Sequence, residues 1–288
     1  MLTPASIDRV VAAALSEDAP WGDLTSTAFI PEAATARAEL IAREAGVASG
    51  LSVFATAFRL TDPVITVTTQ VEDGARFEPG AVLAVVEGPA RGILTAERVA
   101  LNLTQRMSGI ATLTARYVSE VAHTRARIAD TRKTTPGLRA LERQAVRDGG
   151  GYNHRFSLSD AVMVKDNHLA VLTAGGASVT EALRTPMASL PHTTHVEVEV
   201  DRLDQIEPVL AARVNTIMLD NFSLDDLRRG VEIVAGRAIV EASGGVSLQT
   251  VGAIAETGVD VISVGALTHS ARALDLGLDI RVSTAETT

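Results

Sequence analysis

Six short apolar segments between residues 126 and 267 constrain this chain more than any other feature: ARIADTRK (126–133), DAVMVKDNH (160–168), HVEVEVD (195–201), NTIMLDNF (215–222), RAIVEASGG (237–245) and VDVISVGAL (259–267). Each ends in polar or glycine residues, and most are followed by a stretch of helical period, at 136–148, 178–184, 203–213, 224–234 and 248–256. Parallel strands need a crossover long enough for a helix, so this alternation predicts parallel β/α units. In a β/α barrel the chemistry gathers at the C-terminal ends of the strands. Here those ends supply Arg132 and Lys133, then Lys165, Asp166, Asn167 and His168, then Glu199 and Asp201, then Asp220 and Asn221, then Ser243, Gly244 and Gly245, then Gly265. Fewer than eight units fit, so the expected fold class is α/β: an incomplete parallel α/β barrel with a smaller mixed α/β N-terminal domain.

Upstream, residues 2–16 read as a helix starting near Pro4 or Ser6, and EDAPWGDLTS (17–26) reads as turns. Strand patterns follow at 35–50 and 63–88, with turns at Glu72-Asp73-Gly74 and Glu78-Pro79-Gly80. The second of these resembles the small β-sandwich of lipoyl and biotinyl carriers, but it contains no lysine to carry a cofactor. A long helix is expected over 94–124, broken at Gly109 between two domains, 1–108 and 109–269.

Net charge is −9 and aromatics are only 3%, which argues against nucleic acid and anionic membranes as partners. No apolar run reaches the roughly 18 to 20 residues that span a bilayer, and the N-terminus shows no signal-peptide pattern. With no cysteine, there is no thiolate site, and a cytoplasmic location is expected. Against this acidic background, residues 125–155 hold eight Arg and Lys and three acids. Only two of the 26 basic residues are lysines, Lys133 and Lys165, and both fall between Asp130 and His168. Lysine is a compact charge that approaches one oxygen closely, whereas arginine is a fixed fork suited to carboxylates. The contrast suggests a focused pocket for a small polyanion. Arg139, Arg143 and Arg147, spaced by four, fit a solvated helix face equally well.

On HVEVEVD, Glu197 and Glu199 share one face and Val196, Val198 and Val200 the other. In a barrel both carboxylates would point inward and need cations, with Arg132, Lys133 and Lys165 available; on an edge strand they would be solvated. The glycine-rich turns after Ser243 and Val264 suit a phosphate at a helix N-terminus. His154 beside Arg155 suits a carboxylate. His168 and His269 read equally as structural or functional. There is no HExxH, no Cys/His metal spacing and no P-loop.

EDAPWGDLTS, TAERVALNLTQRMSGIAT, DTRKTTPGLRALERQAVRDGGGYNHR, VKDNH, VEVEVD, LDNF, EASGGV and VGALTHS, in this order, closely resemble the quinolinate phosphoribosyltransferases, and the likeness covers nearly the whole chain. It implies that residues 270–288 return to the first domain. It also implies a homo-oligomer, dimer or hexamer, whose site Arg98 completes from a neighbouring subunit. The implied reaction joins quinolinate to 5-phosphoribosyl 1-pyrophosphate with Mg²⁺, giving nicotinate mononucleotide, pyrophosphate and CO₂ in NAD biosynthesis. Arg98, Arg132, His154, Arg155 and Lys165 would hold quinolinate, and Lys133 the pyrophosphate donor. Glu199 and Asp220 would lie near the ribose and Mg²⁺, and Ser243, Gly244 and Gly265 would cradle the 5′-phosphate. A homologue of the same fold in molybdenum-transport operons shares these motifs, although the intact dicarboxylate set favours quinolinate. Lys165 at a strand end also fits a Schiff-base aldolase, and the phosphate turns a non-catalytic binder.

Overall fold

The computed structural model describes residues 2–283, which fall into two compact units. The first comprises 2–115, 134–150 and 267–283, and the second 116–133 and 151–266.

Helix α1 (Pro4–Asp18) is capped by Thr3, whose hydroxyl accepts the Ser6 N–H, and it buries Ile7 and Val11. The stretch expected to be all turns contains a short helix, α2 (Leu24–Phe29), because Asp23 caps it through the Ser26 N–H. There follow β1 (Thr35–Ala42), β2 (Gly46–Val47), α3 (Leu51–Thr61), β3 (Thr66–Thr69), β4 (Arg76–Phe77) and β5 (Val82–Pro89). Strand β1 alternates exposed Thr35 and Arg37 with buried Ala36, Ala38, Leu40 and Ala42, as a half-buried strand must.

Helix α4 (Ala90–Val121) runs unbroken through Gly109. Its buried Ile93, Ala96, Ala100, Leu103, Met107 and Ile110 keep three-and-four spacing across that glycine. Gly109 is a notch rather than a break: a Cβ there would lie 1.9 Å from the Arg272 carbonyl oxygen.

Next come β6 (Arg127–Ala129), α5 (Arg139–Asp148), β7 (Val162–Val164), α6 (Asp166–Thr173), α7 (Val179–Met187), β8 (Val196–Val200), α8 (Ile206–Ala211), β9 (Thr216–Asp220), α9 (Leu224–Val234), β10 (Ile239–Ser243), α10 (Val251–Ala255), β11 (Val261–Ser263) and α11 (Ala266–His269). Six parallel strands form one sheet in the order β6-β11-β10-β9-β8-β7. Tyr152 adds a one-residue parallel bridge to Ala129 on the free side of β6. In chain order the circuit is therefore β6, Tyr152, β7, β8, β9, β10, β11 and back to β6. Among the described residues no strand pairing joins Tyr152 to β7, and this seam leaves the barrel incomplete. Val196, Val198, Val200, Ile217, Leu219, Val240, Ala242 and Ile262 are buried apolar positions of these strands. The alternate positions carry most of the polar groups, Glu197, Glu199, Thr216, Asp220, Glu241, Ser243 and Ser263, together with Met163 and Met218.

Strand β12 (Leu276–Ser283) brings the C-terminus back to β1, pairing antiparallel from Thr35↔Ser283 to Ala42↔Leu276, in the sheet β12-β1-β5-β3. Within the same unit Arg106 donates from Nε and Nη2 to Glu142 Oε1, at 3.1 and 2.7 Å, and Nη2 also reaches the Thr268 carbonyl at 2.6 Å. Glu142 is fully buried, and its other oxygen accepts the Thr135 N–H, so one ion pair ties α4, α5 and the C-terminal segment together.

Candidate active site

A cavity of about 420 Å³ opens at the C-terminal ends of the barrel strands, lined by Thr131, Arg132, Lys133, His154, Arg155, Met163, Lys165, Glu199, Met218, Asp220, Ser243 and Ser263. Eight of the residues singled out from sequence thus meet in one place. Arg98 is exposed on α4 in the first unit, outside this lining, and Gly244 and Gly265 sit in the turns behind it. Thr131, Met163, Met218 and Ser263 were missed. Met163, Met218 and Ser263 each stand two residues before a strand-end position already singled out, so the period of two would have found them.

Four permanent cations, Arg132, Lys133, Arg155 and Lys165, face two carboxylates, Glu199 and Asp220, which leaves the cavity two charges positive in a chain of net −9. Burial, then the Arg132 guanidinium, lowers the pKa of Arg155. Two guanidinium groups crowd each other there, and an anion between them would relieve both. Lys165 Nζ stands 2.6 Å from Glu199 Oε2, so the expected pairing of Glu199 with a lysine is present.

Glu197 behaves otherwise. It is buried deeper in the barrel, outside the lining, and its partner is His154 rather than Arg132, Lys133 or Lys165. His154 Nε2 lies 3.1 Å from Glu197 Oε2 and 3.5 Å from Glu241 Oε1. Glu241 is buried as well; it stands two residues before Ser243, as Glu197 stands two before Glu199. Burial opposes a charged His154 ring, but the nearby Glu197 and Glu241 carboxylates outweigh it and draw a proton to the site. Burial also raises the pKa of Glu197. His154 and Glu197 titrate together, so the proton drawn to them resides on the ring or on the Glu197 carboxylate. The Arg155 N–H points at His154 Nδ1 from 2.7 Å. An amide can only donate and an imidazolium has no lone pair, so this contact is made to the Nδ1 lone pair of a ring protonated at Nε2 alone.

Asp130, fully buried at the end of β6, sets this segment: its carboxylate accepts the His154 N–H and the Asn153 side-chain amide, both at 2.7 Å. Arg155 then reaches across the seam, its Nη1 donating to the Ala161 carbonyl at 3.0 Å.

At the end of β9, Asn221 adopts a left-handed backbone (φ 59°) and donates through Nδ2 to Asp220 Oδ2 at 2.7 Å. Gly244 (φ 89°) packs against it, and a Cβ there would fall 2.2 Å from Asn221 Oδ1. The glycine that reads as a phosphate turn is thus also required by Asn221. His168 Nδ1 accepts the Lys165 N–H at 2.9 Å, and His269 Nδ1 meets the Ser270 hydroxyl, which gives each histidine a structural partner.

Glu199 and Asp220, on neighbouring strands, offer the hard oxygen donors that Mg²⁺ takes, and such ions are commonly held by one or two carboxylates plus substrate phosphates. The donor set fits that ion.

Family models for quinolinate phosphoribosyl transferase match the chain, the N-terminal domain over residues 23–108 and the C-terminal domain over 110–279. The chain is 46% identical to nicotinate-nucleotide pyrophosphorylase (carboxylating) of Mycobacterium leprae, covering 93% of this chain and 94% of that one. A probable enzyme of the same name from Bacillus subtilis is 41% identical over 93% and 91%. The crystal structure of NadC from Streptococcus pyogenes superposes with a TM-score of 0.93 at 43% identity, covering 99% of both chains.

Proposed function

Since this chain belongs to the quinolinate phosphoribosyltransferase family, we propose that its barrel cavity transfers the phosphoribosyl group of 5-phosphoribosyl 1-pyrophosphate to the ring nitrogen of quinolinate. Pyrophosphate and CO₂ leave, and nicotinate mononucleotide is the product, a step of NAD biosynthesis. The observation that carries this reading is the convergence of four cations, two carboxylates and a strand-end serine on one cavity of about 420 Å³.

Quinolinate is a dianion, and Arg132, Arg155 and Lys165 supply the charges for its two carboxylates, with His154 at their edge. Lys133 holds oxygens of the pyrophosphate donor. Ser243, Gly244 and Gly265 form the turns for the 5′-phosphate. Glu199 and Asp220 face the ribose and would hold Mg²⁺, which when bound neutralises pyrophosphate oxygens. The ring nitrogen gives its electron pair to the anomeric carbon while the bond to pyrophosphate breaks, and the two carboxylates stabilise positive charge developing at that carbon. The ring, now cationic, accepts the electron pair of the carbon–carboxylate bond as CO₂ departs, and a proton replaces it. No protein nucleophile is needed; positioning and electrostatics do the work. Arg98 would enter from a neighbouring subunit of a homo-oligomer, supplying a further cation for quinolinate.

The test is nicotinate mononucleotide formation by the purified protein with Mg²⁺, with quinolinate and with nicotinate as acceptors. Product from quinolinate alone, lost in a folded Lys133→Ala variant, supports the reading. Unchanged turnover in that variant would remove Lys133 from the machinery, and no product from quinolinate would overturn the assignment.

A further inference from the structure

Both ring nitrogens of His154 are engaged: Nε2 faces Glu197 and Glu241, and Nδ1 receives the Arg155 N–H. The ring is thus a strut between a buried carboxylate pair and the backbone of Arg155. That backbone matters because residues 152–155 lie beside the seam, where among the described residues no strand pairing fixes them to β7. What aims Arg155 is the Asp130 contact on one side, the ring on the other, and its own reach to the Ala161 carbonyl.

We propose that Glu197 and Glu241 are positioning residues for Arg155, acting through the His154 ring. Glu197 Oε2, at 3.1 Å, accepts the Nε2–H, with Glu241 Oε1 behind it at 3.5 Å; this fixes the ring's rotation and leaves the Nδ1 lone pair toward the Arg155 amide. A ring released from them can flip, and the amide then loses its acceptor and Arg155 its fixed approach to the cavity. Neither the Oε1 atom of Glu197 nor that of Glu241 has a hydrogen-bond partner among the described residues, so the pair is not there to build a satisfied core network. The inference rests on the reading of Arg155 as a quinolinate ligand.

Methionine matches glutamate in length and offers no oxygen acceptor; the kinetics are read on variants shown to be folded by denaturant unfolding. Glu197→Met should raise the KM for quinolinate roughly 10-fold, the worth of one or two hydrogen bonds, and Glu241→Met roughly 3-fold, with the KM for the phosphoribosyl donor changed less than about 2-fold in each. Glu197→Gln and Glu241→Gln keep an acceptor oxygen and should stay within about 3-fold of the parent enzyme. In an Arg155→Ala background the methionine changes should add nothing further. Nitrogen-15 NMR of histidine-labelled parent enzyme, with His154 assigned by its loss in His154→Gln, should show an unprotonated Nδ1 and a protonated Nε2. An Arg155→Ala variant with unaltered quinolinate KM would overturn the ligand reading. Methionine effects that are absent, that fall equally on both substrates, or that persist undiminished without Arg155 would overturn the positioning role, as would a protonated Nδ1 in the NMR spectrum.

Discussion

Lys165 Nζ lies 2.6 Å from Glu199 Oε2, an ion pair between the ends of strands β7 and β8 that neutralises part of the cavity before any ligand arrives. Lys165 is the more exposed partner, at 45% against 13% for Glu199, so the lysine is the one free to turn to an incoming carboxylate. On the proposed reading, quinolinate and Glu199 compete for the same ammonium. Replacing Glu199 by Gln should leave quinolinate affinity, read by calorimetry without the phosphoribosyl donor, unchanged or tighter. Turnover should fall by about 10² or more if, as proposed, the carboxylate acts at the anomeric carbon. A tenfold loss of quinolinate affinity in this variant would show that Glu199 does not compete with the substrate.

Arg106 and Glu142 make the ion pair that ties α4, α5 and the C-terminal segment together in the first unit. Removing the guanidinium leaves a fully buried carboxylate without its counter-charge, which typically costs about 3 to 5 kcal/mol. Arg106→Ala should lower the stability measured by denaturant unfolding by about that amount, while Arg106→Ala/Glu142→Leu should recover much of it. A loss below about 1 kcal/mol in the single variant would mean the pair is already solvated.

Gly244 and Asn221 interlock behind Asp220. Alanine at 244 must avoid Asn221 and also adopt a left-handed backbone, at a cost of roughly 1 to 2 kcal/mol. Because Asn221 donates to Asp220, the displacement passes to that carboxylate. Gly244→Ala should lower kcat/KM for the phosphoribosyl donor about tenfold with a smaller effect on quinolinate. Equal losses for both substrates would point to general unfolding of the strand end.

Glu44 is held at about 2, chiefly by its hydrogen bond to Arg272 and then by the Asp275 N–H. Its folded value lies below the ordinary 4.5, so the stability it contributes is present above about 4.5 and is lost as pH falls toward 2. Arg272 is largely exposed, and screening limits the effect to about 1 kcal/mol. Acid unfolding of Glu44→Gln should show a flatter dependence than the parent over that range. Parallel curves would remove Glu44 from the acid transition.

The β/α alternation was legible because strands and helices of a barrel keep their own periods, and the strand ends were legible because parallel register brings them to one rim. Helix α9 matches the periodic segment read at 224–234 from end to end. Tyr152 escaped because a one-residue bridge has no period, yet it decides where the barrel stays open. Gly109 read as a break because propensity reports a glycine's flexibility, whereas its use here is the close approach of Arg272. Glu241 was passed over inside RAIVEAS, although its distance of two from Ser243 carried the same inward signal as Glu197 before Glu199. His154 was read as a substrate ligand from its neighbour Arg155; that its ring faces a buried carboxylate pair depends on β8, β10 and the segment after Tyr152 meeting, which no local pattern encodes.

The central claim, that this cavity couples phosphoribosyl transfer to decarboxylation, is tested most directly by stoichiometry. Purified protein supplied with carboxyl-labelled quinolinate, 5-phosphoribosyl 1-pyrophosphate and Mg²⁺ should release one CO₂ for each pyrophosphate formed, and nicotinate should yield neither nucleotide nor pyrophosphate. Pyrophosphate formed without CO₂, or nucleotide formed equally well from nicotinate, would contradict it.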